Sequence, residues 1–233
     1  MILAIETSGE VGSVAWLDGG GATAEREFAT RQEACRVLPV VARDLLTEAG
    51  IPLGALRAVG VSRGPGAFNG LRVGMAFGKA IAHAQRVPAV GIATSLAWAA
   101  ETAVRRSEVV LAVLQPVRRG FLYLTVFAPG ETPQGLAPTE IQSEESWRQR
   151  LAELAAERPV TLTGDWPGLA SVTEMPAAWR VDEDRARSPR ATTIGRLAIP
   201  HLATTEQETC FTLRPEYISP SQAERVKGVN LGL

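Results

Sequence analysis

The side chains in this chain that could do chemistry by type and spacing are hydroxyls and glycines. Thr7 and Ser8 lie in Glu6-Thr7-Ser8-Gly9, between the apolar runs Ile2-Leu3-Ala4-Ile5 and Val11-Gly12-Ser13-Val14-Ala15-Trp16-Leu17. A tight turn of this kind between two strands can offer backbone N–H groups to a phosphate, which makes Thr7, Ser8 and Gly12 degenerate phosphate-loop candidates. The same residues also read as an ordinary β-turn. Gly64-Pro65-Gly66 with Gly70 has the glycine content of a phosphate loop. It lacks the Lys-Ser/Thr pair of a P-loop, and Arg72 is not placed to replace it, which argues against a P-loop ATPase.

His83 and His201 are the only histidines, and neither has a second His, Cys or carboxylate at ligand spacing on its own helix. Cys35 and Cys210 fall in no metal-ligand or redox spacing and read as two packed free thiols of a reducing compartment. No Gly-x-Ser-x-Gly elbow occurs. These features assign no catalytic residue, no metal site and no cofactor.

The 24 basic and 25 acidic residues leave a formal net charge of -1, so no overall field draws the chain onto a polyanion and any link to nucleic acid is expected to be indirect. The opening Met-Ile-Leu-Ala-Ile-Glu lacks the basic start of a signal peptide. No apolar run approaches the roughly 20 residues that span a bilayer, and the expected location is the cytoplasm. With 233 residues the chain can bury a core without disulfides or metals.

The elements that must position these residues follow from periodicity. Residues 2–5 and 11–17 read as a strand hairpin with a third strand near 22–28. Ala34, Leu38, Val41, Leu45 and Ala49 recur at helical spacing over 31–49, with Val37, Ala42 and Leu46 widening the stripe. A strand at 58–62, a loop at 63–70 and a helix over 71–85 come next. That helix aligns Gly74, Gly78 and Ala82 at i, i+4, i+8. Glycine in a helix costs about 1 kcal/mol against alanine, so the stripe implies close approach, either to the protein's own sheet or to a partner helix.

A strand at 87–92 and a helix over 96–104, opened by Thr94-Ser95, complete the order β-β-β-α-β-α-β-α. A second half begins near Glu108, with strands at 109–114, 121–127 and 160–163 and helices at 144–156 and 192–203. Residues 129–138 read as a loop or hairpin, and Arg214-Pro215-Glu216-Tyr217 lies in the tail.

Ile2 to Ser8, Arg63-Gly64-Pro65-Gly66-Ala67-Phe68-Asn69-Gly70-Leu71-Arg72-Val73-Gly74 and Pro88-Ala89-Val90-Gly91-Ile92 resemble the TsaB (YeaZ) family, a partner protein of tRNA threonylcarbamoyladenosine biosynthesis grouped in older naming with glycoproteases. Leu38-Pro39, Ala112-Val113-Leu114, Arg118-Arg119-Gly120, Tyr123 and Pro215-Glu216-Tyr217 extend the match to essentially the whole chain. The chain departs from the family pattern at Glu6 for Asp, Glu33-Ala34 for His-Ser, Ala67 and Asn69 for Ser and Thr, and Gln115-Pro116 for Asp-Ala.

The resemblance implies an α/β, actin-like (ASKHA, ribonuclease H-like) fold of duplicated β-β-β-α-β-α-β-α domains, with mixed sheets flanked by helices. Residues 1–104 would form the first domain, with its dimerisation helices, and 105–233 a shorter second one. It implies a non-catalytic subunit that activates a TsaD-type paralogue adding threonylcarbamoyl to an adenosine of tRNAs reading ANN codons, with a TsaE-type ATPase joining. On this reading the chain is a homodimer when alone, meets tRNA only through the complex, and encounters ATP or ADP only at a partner interface. The expected interface is Leu38, Val41 and Leu45 on the first helix and Leu71, Gly74, Met75, Gly78 and Ala82 on the second. A glycoprotease-like peptidase and a degenerate ATP-binding, sugar-kinase-like protein are the alternative readings.

Overall fold

The computed structural model describes every residue except 22, 31, 32, 173, 174, 184–187, 204–208, 217 and 219–233, so Tyr217 of the tail motif lies outside the described residues. The first half runs β1 (Ile2–Glu6), β2 (Val11–Leu17), β3 (Thr23–Ala29), α1 (Ala34–Glu48), β4 (Ala58–Gly64), α2 (Phe68–Gln85), β5 (Ala89–Ala93) and α3 (Thr94–Ala103). Its sheet has the order β3-β2-β1-β4-β5. β1, β2 and β3 pair antiparallel, while β1, β4 and β5 pair parallel. β1 is buried along its whole length, as a central strand covered on both faces must be.

The second half contains β6 (Val110–Arg118), β7 (Phe121–Phe127), β8 (Glu140–Ser143), α4 (Trp147–Ala155), β9 (Val160–Thr163), β10 (Trp179–Val181) and α5 (Ala191–Ala198). Its sheet order, β10-β9-β6-β7-β8, repeats that of the first, with β6 in the place of β1 and β9 in the place of β4. Two strands escape the sequence reading: β8 is half-buried and polar, and β10 has only three residues. The counterpart of α2 has shrunk to a 3-10 turn, Pro167–Ser171, and the helix expected over 192–203 is α5 followed by a 3-10 turn, Ile199–Ala203.

Each half sends its last helix to the middle of the molecule. α3 lies against β6 and β9 as well as β4 and β5, while α5 crosses β1, β2 and β4. Trp98 of α3 packs with Leu111, Val113 and Phe127. Further along α3, the Thr102 hydroxyl reaches Thr163 Oγ1 at 3.2 Å and Asp182 Oδ2 at 3.1 Å, and Arg105 pairs with Asp182 at 2.7 Å. The N-terminus of α5 is held by two carboxylates: the Ala191 N–H donates to Glu25 Oε1 at 2.7 Å and the Arg190 N–H to Glu101 Oε1 at 2.6 Å. Acidic groups at a helix N-terminus offset its unpaired N–H groups and positive dipole end.

The glycine stripe of α2 faces the protein's own sheet. A Cβ at Gly74 would collide with the Thr7 side chain, and one at Gly78 with Val61, with Ile5 and Val59 close behind. Leu38, Leu45, Leu71, Met75 and Ala82 are likewise buried, and all but Leu71 belong to the same core. Of the residues expected at a partner interface, Val41 alone is half-buried rather than buried. The expectation is therefore corrected for the others: the small residues let α2 approach β1 and β4, and the apolar residues fill the space between α1, α2 and the sheet. Cys35 is exposed rather than packed, and Cys210 is half-buried.

Gly78→Ala should lower the denaturant midpoint, because overpacking against the β-branched Val61 outweighs the gain of about 1 kcal/mol in helix propensity. Gly78→Arg should fail to give a native circular dichroism spectrum, and a native spectrum for it would refute this packing. Ala67 occupies the N-cap of α2 in extended geometry without a side-chain capping bond. Ala67→Ser should therefore stabilise the fold by about 1 kcal/mol, read as a rise in melting temperature.

Candidate functional site

The C-terminal ends of β1, β4, β6 and β9 meet where the two halves face each other. From β1 the chain turns through Glu6, Thr7 and Ser8. From β4 it continues through Gly64-Pro65-Gly66 into α2, and this loop lies directly on the first turn. The Ala67 N–H donates to Ser8 O at 2.6 Å, and a Cβ at Gly66 would stand 2.7 Å from Ser8 Cβ. A Cβ at Gly70 would collide with the Thr7 carbonyl. The glycines of this motif are thus required by close approach of one backbone to another.

Two donors of the first turn are engaged within the chain. The Thr7 N–H donates to Ser62 Oγ at 3.3 Å and the Ser8 N–H to a Glu6 carboxylate oxygen. Gly12 gives no cradle either, since a Cβ there would meet Phe28 and Thr30, both at 2.8 Å. Of the phosphate-loop candidates, the Thr7 and Ser8 N–H groups are thus bonded within the chain and Gly12 is packed against Phe28 and Thr30.

The second half contributes two side chains, Gln115, which the sequence marks only as a departure from the family pattern, and Asp165, which it does not mark. Gln115, near the end of β6, is buried and donates from Nε2 to Pro65 O at 3.0 Å, joining the halves through the loop. Asp165 follows Gly164, whose φ of 112° and contact with Leu114 leave no room for a side chain. Glu6 Oε2, Gln115 Oε1 and Asp165 Oδ1 are buried with no hydrogen-bond partner among the described residues. Burial pushes Glu6 up to about 7 against the opposing hydrogen bonds from Ser8 and Ser62. Asp165 is pushed up to about 7 by burial, with the charge of Glu10 adding to it.

Of the two histidines, His201 lines a shallow pocket beside β5 with Arg63, and His83 sits in the last turn of α2. Among the described residues no group of three or more His, Cys, Asp or Glu side chains is placed to hold a metal ion. Among the same residues no helix is long and apolar enough to cross a membrane.

The repeated strand order, the exchanged helices and the turn at the meeting of the halves define an actin-like α/β protein. Residues 27–124 match the family TsaD, tRNA N6-adenosine threonylcarbamoyltransferase. The chain is 32% identical over 177 residues to the tRNA threonylcarbamoyladenosine biosynthesis protein TsaB of Escherichia coli, spanning 72% of this chain and 74% of that one. It is 35% identical over 114 residues to the TsaB of Haemophilus influenzae, 48% of each chain. The solved structure of YeaZ from Pseudomonas aeruginosa superposes with a TM-score of 0.74 at 25% identity, covering 93% of this chain and 99% of that one. The chain belongs to the TsaB (YeaZ) family.

The buried carboxylates make a pH test available. Glu6 keeps its proton to about pH 7 in the fold, against an ordinary value of 4.5. Between those values the folded chain holds a proton that the unfolded chain has lost, so stability falls as pH rises through this window and stays low above it. Glu6→Gln removes the penalty and should stabilise the protein by about 3 kcal/mol at pH 8, with the difference vanishing near pH 4. Denaturant midpoints at the two pH values check this, and a difference independent of pH would contradict it.

Proposed function

We propose that this chain is a non-catalytic subunit of the machinery that adds threonylcarbamoyl to an adenosine of tRNAs reading ANN codons, where it binds and activates a TsaD-type paralogue. The observation that carries the reading is the turn after β1: the Thr7 and Ser8 N–H groups, where a nucleotide phosphate would be held, are bonded to the chain's own Ser62 and Glu6. Membership of a family named for this biosynthesis supports it, as does the match of the TsaD family to the half that carries α1 and α2.

The partner surface in this reading is the outer side of the same two helices. Val37, Val41, Val73, Phe77 and Ile81 are partly buried against the core beneath, and Val40 is 43% exposed. Because the TsaD match includes residues 34–85, the paralogue has an equivalent helix pair, and two such pairs can close face to face about a pseudo-twofold axis. A second copy of this chain would use the same face when the paralogue is absent. ATP or ADP and a TsaE-type ATPase would then act at the assembled interface, tRNA would be met through the complex, and the setting would be the cytoplasm.

Val40→Arg places a charge on this face without entering the core. It should leave the circular dichroism spectrum unchanged, weaken capture of the TsaD-type protein at least about tenfold, and reduce tRNA modification in a reconstituted system in parallel. Full binding and full modification by Val40→Arg would put the partner elsewhere.

A further inference from the structure

A thiol and an imidazole that the turn between the halves does not use come together at the far end of α2. Residues 209–216 form a strap that returns to the first half. Its Leu213 is fully buried in the core under α2, the Leu213 carbonyl accepts from Lys79 Nζ at 3.1 Å, and the Glu216 N–H donates to Arg63 O at 2.7 Å. The strap opens with a turn in which the Thr212 and Leu213 N–H groups donate to Thr209 O. That turn sets Cys210 Sγ 3.8 Å from Nδ1 of His83, and Phe211 meets the same imidazole edge-on at 5.4 Å between ring centroids. The pair opens onto a pocket of about 540 Å³ that Arg86, Val87 and Thr209 also line.

We propose that Cys210 is a thiol-modification site whose reagent is a low-molecular-weight disulfide bearing carboxylates. Nδ1 of His83 accepts the Sγ proton, and the thiolate attacks one sulfur of the disulfide. A new S–S bond forms to Cys210 as the reagent's S–S bond breaks, and the departing thiolate takes the proton from the imidazolium, so one disulfide is consumed and one free thiol is released. Arg86 supplies a cation for a reagent carboxylate, and the exposed face of Phe211, which is 71% exposed, gives its methylenes an apolar wall. Lys79, one turn back on α2, is tied to the Leu213 carbonyl. Cys210 belongs to the strap that Leu213 anchors in the core under α2, so an adduct there sits on a segment packed against that helix.

Cys35 provides an internal control, since it is exposed at the start of α1. The full chain is incubated with oxidised glutathione or with neutral hydroxyethyl disulfide, and the rate of adduct formation at each cysteine is read by peptide mass mapping. In the wild type, the preference for oxidised glutathione over the neutral disulfide should be about tenfold greater at Cys210 than at Cys35, and Arg86→Ala should abolish the excess. His83→Gln should slow the reaction at Cys210 about tenfold and leave Cys35 unchanged, the Cys35 rate and the circular dichroism spectrum reporting that the variant is folded. Equal preferences at the two cysteines in the wild type would overturn the proposal, as would an unchanged Cys210 rate in a folded His83→Gln protein. Should His83→Gln not fold, the wild-type comparison and Arg86→Ala decide the matter alone.

Discussion

The structure depends on how closely two helices approach the central strand β1. On one face α2 comes down through Gly70, Gly74 and Gly78 onto Thr7, Val61 and their neighbours. On the other face α5 does so through Gly195, where a Cβ would collide with Leu17 and stand 3.2 Å from Ala4 Cβ. Helices packed through larger side chains would stand off by several ångströms. At glycine distance, the N-terminus of α2 comes to rest on the turn that β1 leads into. The packing of the helix and the seating of the loop on that turn are therefore one event, and both follow from glycines between Gly64 and Gly78.

The same constraint explains the inequality of the halves. The second sheet repeats the strand order of the first, yet a 3-10 turn replaces the counterpart of α2, and Trp147, Trp166 and Trp179 fill that side, with ring centroids 5.8 and 6.4 Å from Trp147. Large aromatic side chains bury more area per residue than a helix turn of small ones, so a short segment can close the core. The half that keeps two long helices on one face of its sheet is the half with apolar surface to spare on their outer side, at Val37, Val40 and Phe77.

The strand hairpin, the three first-half helices and the order of eight elements were legible in the sequence because each rests on local periodicity. The glycine stripe was legible as a request for close approach but not in its direction, since periodicity defines a face without saying what lies against it. Gln115 was legible only as a departure from the family pattern and Asp165 not at all: what gives Gln115 its role is a bond to Pro65, fifty positions away, and Asp165 reads as an ordinary polar residue after glycine until Leu114 is placed beside it. The Cys210–His83 contact spans 127 positions and leaves no trace in spacing. Strands β8 and β10 were missed because four half-buried residues and three residues carry too little alternation to register.

The departures from the family pattern form a related set once the site is assembled. At position 115 an ionised aspartate would offer only acceptors to the Pro65 carbonyl, whereas glutamine has the N–H that the contact uses. At position 6 the carboxylate loops back to accept the Ser8 N–H, which an anion or a water would otherwise take. At position 67 an alanine replaces the serine that would cap α2, and it stands where the backbone N–H is already committed to Ser8 O. At position 33 the glutamate at the start of α1 makes no capping bond and instead pairs with Arg36 at 2.8 Å. Three of these four changes sit on the contact between the turn, the loop and β6, and two of them supply bonds that hold that contact shut. The Thr7 and Ser8 amides are committed to Ser62 and Glu6, and Gln115 fastens the loop from the other half, so the turn, the loop and β6 form one bonded contact.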